Sequence, residues 1–298
     1  MTSVLHNLGA VLVSTISMSI PLIFAAVGGV YSVRSGIMAL GLESMMMAGA
    51  FTAVLGSYFS GNVVVGLLCG MLGGALLGIL HGILSVRYKV NQVISGIGLN
   101  LLALAATTLF MQIIWGNKGS SPQVASVDFV VGGPIPILNQ LSPLAYLMAA
   151  VVAVAWVVLF KTRYGLRLRM VGENPKAAAS VGLRVHMLKY SGVLICGVLA
   201  GMGGAYLSLG HINMFVRDMT AGRGYIAVVI AILARYNPVG VALCALIFGF
   251  CDAIQIYLQG QAISSHLIQM LPYLVTLLVL TFGVKHIRPP AGVGKFDD

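Results

Sequence analysis

The chain has 298 residues, of which 59% are apolar and only 8% are charged, 17 basic against 7 acidic. Soluble chains carry about three times that share of charge, so a water-soluble enzyme or domain pair is excluded and lipid must cover the surface instead. The formal charge of +10 does not indicate nucleic acid, because the basic residues fall in short gaps between apolar runs, the positive-inside pattern of membrane proteins.

A transmembrane helix needs about 20 mainly apolar residues. Runs of this kind lie at 8–30, 36–59, 63–83, 93–115, 143–160, 190–209, 220–235, 238–258 and 267–284. They predict an all-α fold, a polytopic transmembrane helical bundle of about nine spans, in a single membrane domain over 1–298. The 220–235 run is short and fits a half-helix as well as a span. Residues 1–6 lack a basic stretch and the first run is too long for a cleaved signal, so it is expected to remain as a span.

Polar residues inside these runs are the candidate pathway. On the first run Ser14, Ser17 and Pro21 share a face, and Pro21 is expected to kink the helix. Glu43 on the second costs about 2.5–3.5 kcal/mol on insertion scales, so it needs a partner on another helix, structural or in the pathway. Gly66, Gly70, Gly74, Gly78 and Gly82 recur every four residues on the third. That spacing predicts a smooth groove into which another helix backbone packs, and Gly197 and Gly201, with Ala200, Gly204 and Ser208, repeat it on the sixth. Gln92, Gly96, Asn100 and Thr107 form a small-and-polar stripe on the fourth, and Asp252, Gln255 and Gln259 one on the eighth. Each stripe fits a pathway or a subunit interface.

Two gaps between the runs are long. Segment 116–142, with Pro122, Pro134 and Pro136, is too polar to cross lipid. Segment 161–189 holds Lys161, Arg163, Arg167, Arg169, Lys176, Arg184 and Lys189 against Glu173 alone. The positive-inside rule places it in the cytoplasm and 116–142 outside, with the N-terminus outside and the C-terminus cytoplasmic. Within it, Asn174 suits an N-cap, Pro175 the first helical position and Gly182 a left-handed stop, predicting a two-turn helix outside the membrane.

Catalytic signatures are missing. Gly294-Lys295 is followed by Phe296, not the Ser or Thr of a Walker A motif, and there is no HExxH or GxSxG. Cys69, Cys196, Cys244 and Cys251 all sit in apolar runs without CxxC spacing, so neither a disulfide framework nor a metal site is expected.

The stretch KTRYGLRLRMVGENPKAAASVGL (161–183) resembles the cytoplasmic coupling region of ABC-importer permeases of the branched-chain amino acid, ribose and simple-sugar superfamily. RSGIMALGLESMMMAGAF (34–51), HGILSVRYKVNQVISGIGLNLLA (81–103) and FVRDMTAGRGYIAVVIAILARYNPVG (215–240) extend the likeness to nucleoside-type permeases, the shorter partner of two-permease systems. The chain departs from that pattern at Val33, Ala39 and Ser44, where the family has Glu, Asn and Gly, and at Tyr236, where Trp is common.

The resemblance implies a multi-pass translocation subunit of the bacterial plasma (inner) membrane, surrounded by the lipid bilayer and not itself an enzyme. Its implied partners are a second permease, an ABC ATP-binding subunit that holds ATP and magnesium, and an external substrate-binding protein. It assigns ATPase coupling to Gly172, Glu173, Asn174, Pro175, Ala177, Ala178 and Gly182, and uptake of nucleosides, purine type favoured, to the whole. Glu43, Gln92, Asn100, Asp252 and Gln255 are the expected pathway residues. A simple sugar or riboflavin is the alternative solute. An ion- or proton-coupled secondary carrier is the alternative class, and it would need a titratable relay that two isolated acids do not supply.

Overall fold

The computed structural model describes residues 2–126, 142–258 and 289–295, together with 270, 274–278 and 281. Ten α-helices follow in order: α1 (Thr2–Arg34), α2 (Leu42–Ser60), α3 (Val63–Gly82), α4 (Gln92–Trp115), α5 (Pro143–Lys161), α6 (Arg163–Glu173), α7 (Pro175–Ser180), α8 (Val185–Tyr206), α9 (Arg223–Leu233) and α10 (Pro238–Leu258). Among the described residues there is no β-strand, only a single antiparallel bridge between Ser120 and Val216.

Among the described residues six helices are long and apolar enough to cross a bilayer: α1 from Val11, α3, α4, α5, α8 and α10. The expectation of about nine spans is therefore not met among the described residues. α2 has a spanning length of 19 residues, but Glu43, Ser44, Thr52, Ser57 and Ser60 make it more polar. It is a core helix, packed against α3, α4, α8 and α9. α9 has 11 residues, about 16 Å at 1.5 Å per residue, half the thickness of a hydrocarbon core. The run at 220–235 is thus a half-helix. Most of the run at 267–284, apart from helical residues at 274–278 and 281, and most of segment 116–142 lie outside the described residues.

Two other boundaries differ from expectation. α2 starts at Leu42, and residues 35–41 form an irregular turn between α1 and α2. Segment 161–189, expected as a loop with one short helix, contains α6 and α7 and the first turn of α8. In α6 the residues Gly165, Leu168, Val171 and Gly172 are buried along one side, the spacing of an amphipathic helix, while Arg163 and Arg167 face outward.

The centre of the bundle is built from glycines. A Cβ at Gly74 would lie 2.6 Å from the Cα of Gly201, one at Gly78 would lie 3.1 Å from the Cα of Gly197, and one at Gly66 would lie 2.8 Å from the carbonyl of Ala53. Backbones of α3, α8 and α2 thus touch directly, the arrangement that lets helices associate where no hydrophobic effect acts between them. Outward-facing Leu72, Leu76, Leu101, Ile113 and Leu243 give the bundle an apolar exterior suited to lipid.

Candidate functional site

The carboxylate of Glu43 receives two backbone N–H groups at the start of α9. Gly222 N donates to Oε1 at 3.0 Å and Gly224 N to Oε2 at 2.6 Å. The first N–H groups of any helix lack partners within the helix, and the Glu43 carboxylate supplies them here. A negative group at that end also complements the helix dipole. The turn that delivers these donors has Ala221 at φ 44° and Gly222 at φ 80°, and a Cβ at Gly224 would lie 2.5 Å from the Cα of Glu43. Only glycine allows that approach.

The other end of α9 is held by Arg34, the last residue of α1. Its guanidinium donates to the carbonyls of Arg235 at 3.2 Å and Tyr236 at 3.4 Å and lies 5.8 Å from the centre of the Tyr236 ring. Arg235 and Tyr236 both adopt left-handed conformations, φ 52° and 56°, and their N–H groups return to the orphan carbonyls of Ile232 and Ala231 at 2.9 Å each, while their own carbonyls, just past the helix end, take the cation. One short segment, 34–43, therefore supplies a cation to the C-terminus and an anion to the N-terminus of the half-helix.

That segment is irregular, and its backbone groups are satisfied by side chains from α3 and α4. Gln92 Oε1 accepts from Met38 N at 2.8 Å, and His81 spans the Met38 carbonyl and Ser95 Oγ at 3.0 Å each. Asn100 accepts from Ser44 N at 2.9 Å and donates to the Leu40 carbonyl at 3.2 Å and to Tyr225 Oη at 2.7 Å. Buried irregular backbone persists only where such partners exist. Thr107, from the same stripe, bonds to the Ala103 carbonyl of its own helix.

The expected pathway residues thus divide by location. Glu43 and Asn100 reach the start of α9, whereas Gln92, about two turns earlier on α4, holds the 35–41 turn through Met38. Asp252 stands on α10, within electrostatic reach of Arg223 at the start of α9, and Gln255 is half-buried one turn further along. The N-terminus of α9 is the common point, with Glu43 on it, Asn100 joined to it through Tyr225, and Asp252 facing Arg223. Tyr225 is 44% exposed, so this polar knot reaches the surface of the chain. Sequence reasoning missed Arg34, His81, Ser95, Gly222, Gly224 and Tyr225. His81 carried a signal, being a histidine in an apolar run. Gly222-Arg-Gly224 before a short run was another.

At one end of the bundle, residues beyond α4 cross the strand-like segment that leads to α9. Ser121 N donates to the Phe215 carbonyl, Val124 N to that of Asn213, and Arg217 N to that of Gly119, at 2.8, 2.8 and 2.9 Å. On the opposite side lies the basic region. Asn174 Oδ1 accepts from Ala177 N at 3.1 Å, Pro175 opens α7, and Gly182 has φ 79°. Ala178 is fully buried against Val171 and Val185, whereas Lys176, Ala177, Ala179 and Ser180 are exposed. Gly172 packs on the Arg34 carbonyl. Tyr164 Oη meets Ser191 Oγ at 2.8 Å, and burial raises its phenol above the usual value, partly offset by that bond. No group of three or more metal-ligating side chains occurs among the described residues.

Comparison with known proteins accords with this architecture. The family described as branched-chain amino acid transport system / permease component matches residues 11–280. The chain is 36% identical to the nucleoside ABC transporter permease protein NupC of Lactococcus lactis subsp. cremoris (strain MG1363), over 97% of each chain. It is 33% identical to the guanosine ABC transporter permease protein NupQ of Bacillus subtilis (strain 168), over 98% of this chain and 97% of the relative. Its fold is similar to that of a metal-chelate type ABC transporter in an inward-facing conformation, with TM-score 0.54 and 15% identity over 92% of this chain and 86% of the other. A multi-pass helical chain matched by that family over 11–280 belongs to the branched-chain amino acid transport system permease components, the translocation subunits of ABC transporters.

Proposed function

We propose that the chain forms half of the path of an ATP-driven nucleoside importer, with purine nucleosides such as guanosine as solutes. The observation that carries this reading is identity of 36% and 33%, across nearly the whole chain, to permeases named for nucleosides and for guanosine. The site is compatible with such solutes. A base and a ribose are satisfied by a few amide, hydroxyl and charged groups in a mostly apolar cleft, and Asn100, Tyr225, Arg223, Asp252 and Gln255 provide that set around α9. Glu43 and Gln92 have the different role of holding the half-helix and the 35–41 turn in place.

In this reading the chain forms one membrane domain and pairs with a second permease in the plasma membrane, its N-terminus outside. An external binding protein delivers the solute near residues 116–126 and 213–217. ABC ATP-binding subunits, which hold ATP and magnesium, dock on the exposed side of α7, and residues 172–182 couple their closure to the spans. The chain itself performs no covalent chemistry. Its helices rock as rigid bodies between outward- and inward-open packings. The test is reconstitution with the second permease, the ATPase subunits and the loaded binding protein in proteoliposomes. Labelled guanosine is expected to accumulate in a vanadate-sensitive manner. Accumulation that needs an ion gradient and no ATP would refute the reading.

A further inference from the structure

Three backbone segments meet at three glycines on the cytoplasmic side. They are the turn after α1, the end of α6 and the C-terminal segment 289–295. Gly292 N donates to the Gly172 carbonyl at 2.9 Å, and Ala291 N to Glu173 Oε2 at 3.2 Å. A Cβ at Gly292 would lie 2.7 Å from the Gly172 carbonyl and 3.0 Å from Pro175 Cδ. One at Gly36, whose φ is 92°, would lie 3.6 Å from Gly172 Cα and 3.7 Å from the Gly292 carbonyl. The C-terminal segment is thus hydrogen-bonded to the residues that lead directly into α7.

From this junction the segment continues beneath α9. Pro289 and Val293, with Met38, Ala39, Ile232 and Tyr236, line an apolar cavity of about 270 Å³. A Cβ at Gly294 would lie 3.2 Å from Met38 Cε. Met38 is the residue whose backbone is fixed by Gln92 and His81, so it belongs to the turn that braces α9. Close-packed protein resists small displacements, but a void beside a packed segment gives Val293, Met38 and the end of α9 room to shift.

We infer that segment 289–294 is a positioning link that carries movement of α7 to the inner end of the path, through Gly172 and Glu173 on one side and Met38 and α9 on the other. The inference rests on α7 being the element moved by the ATPase subunits.

The experiment uses the whole transporter in proteoliposomes, with three changes in this chain: truncation after Pro289, Gly292→Leu, and Glu173→Ala. Spin labels at Ala179→Cys on α7 and Val229→Cys on α9 report their separation with and without vanadate-trapped nucleotide, a readout that requires no solute. In the parent chain the separation changes on trapping. In all three variants the complex is expected to co-purify and hydrolyse ATP, the distance change to disappear, and guanosine uptake to fall about tenfold. Glu173→Gln, which keeps an acceptor for Ala291 N, is expected to restore both. A truncated chain with the parental distance change and uptake would overturn the link, and so would failure of all three variants to assemble, which would assign the segment to folding alone. Labels that stay still in the parent chain would refute α7 as the moving element. A normal distance change without guanosine uptake in the parent would refute the solute and leave the link standing.

Discussion

Glu43 and Gly224 lie 181 residues apart in sequence, yet the Glu43 carboxylate accepts the Gly224 N–H at 2.6 Å, joining the start of a core helix to the start of a half-helix. Two charge-assisted bonds converge on this one side chain, because Gly222 N binds its other oxygen. Hydrogen bonds to charged groups contribute about 1.5–3 kcal/mol each. Glu43→Ala leaves both donors without their acceptor, the Gly224 N–H in a buried position, and is expected to lower stability by about 3 kcal/mol. Glu43→Gln keeps one acceptor and is expected to lose less. Thermal melting of the detergent-purified chain, read by monodispersity, orders the three proteins as parent, then Gln, then Ala. Equal melting points would mean that α9 is held by something else.

Gly74 and Gly98 separate packing from composition. A Cβ at Gly74 strikes the α8 backbone, whereas nothing lies within 4 Å of the same position on Gly98. Gly74→Val is expected to cost more than about 3 kcal/mol, since overpacking against backbone cannot relax by rotamer change. Gly98→Val is expected to be neutral. Membrane-inserted yield and melting of the two variants check this, and equal behaviour would contradict the α3–α8 contact.

How much of this was legible in the sequence depended on where each residue's partner lies. The glycine row of α3 and the cap, proline and stop of α7 were readable because helix geometry fixes which neighbours of i, i+3 and i+4 matter. The need of Glu43 for a partner was readable from the cost of a buried carboxyl, but its identity was not, because Gly222 and Gly224 are distant in sequence and contribute only backbone. The turn at 35–41 was hidden for a related reason. Its apolar residues extend a helical run, and its irregular shape is stabilised by Gln92, His81, Ser95 and Asn100 from other helices. α6 was missed because its arginines dominate the composition of a segment whose buried side is only Gly165, Leu168, Val171 and Gly172.

Asn174 is expected to act on coupling and hardly on folding. Replacing an N-cap Asn by Ala costs about 1 kcal/mol, enough to fray a six-residue helix that the rest of the bundle does not need. Asn174→Ala should insert and assemble normally, hydrolyse ATP, and import several-fold less solute per ATP. Unchanged import would remove α7 from the coupling path.

Tyr225 tests whether the polar knot at the start of α9 meets the solute. Its ring is partly exposed, and its hydroxyl accepts from Asn100. Tyr225→Ala is expected to lower maximal guanosine uptake about fivefold, the size of one lost ring contact, with assembly and basal ATP hydrolysis unchanged. Tyr225→Phe keeps the ring and should retain most of the rate. Equal loss in both would assign the effect to the hydroxyl and its bond to Asn100 instead.

The most direct measurement is uptake of labelled guanosine by cells with the gene, without it, and with it restored, in the presence or absence of vanadate and of unlabelled uridine, ribose or riboflavin. A vanadate-sensitive uptake that disappears with the gene, returns with it, and is competed by nucleosides alone is the predicted result. Competition by ribose or riboflavin, or uptake that survives ATP depletion and collapses with a protonophore, would contradict a nucleoside importer driven by ATP.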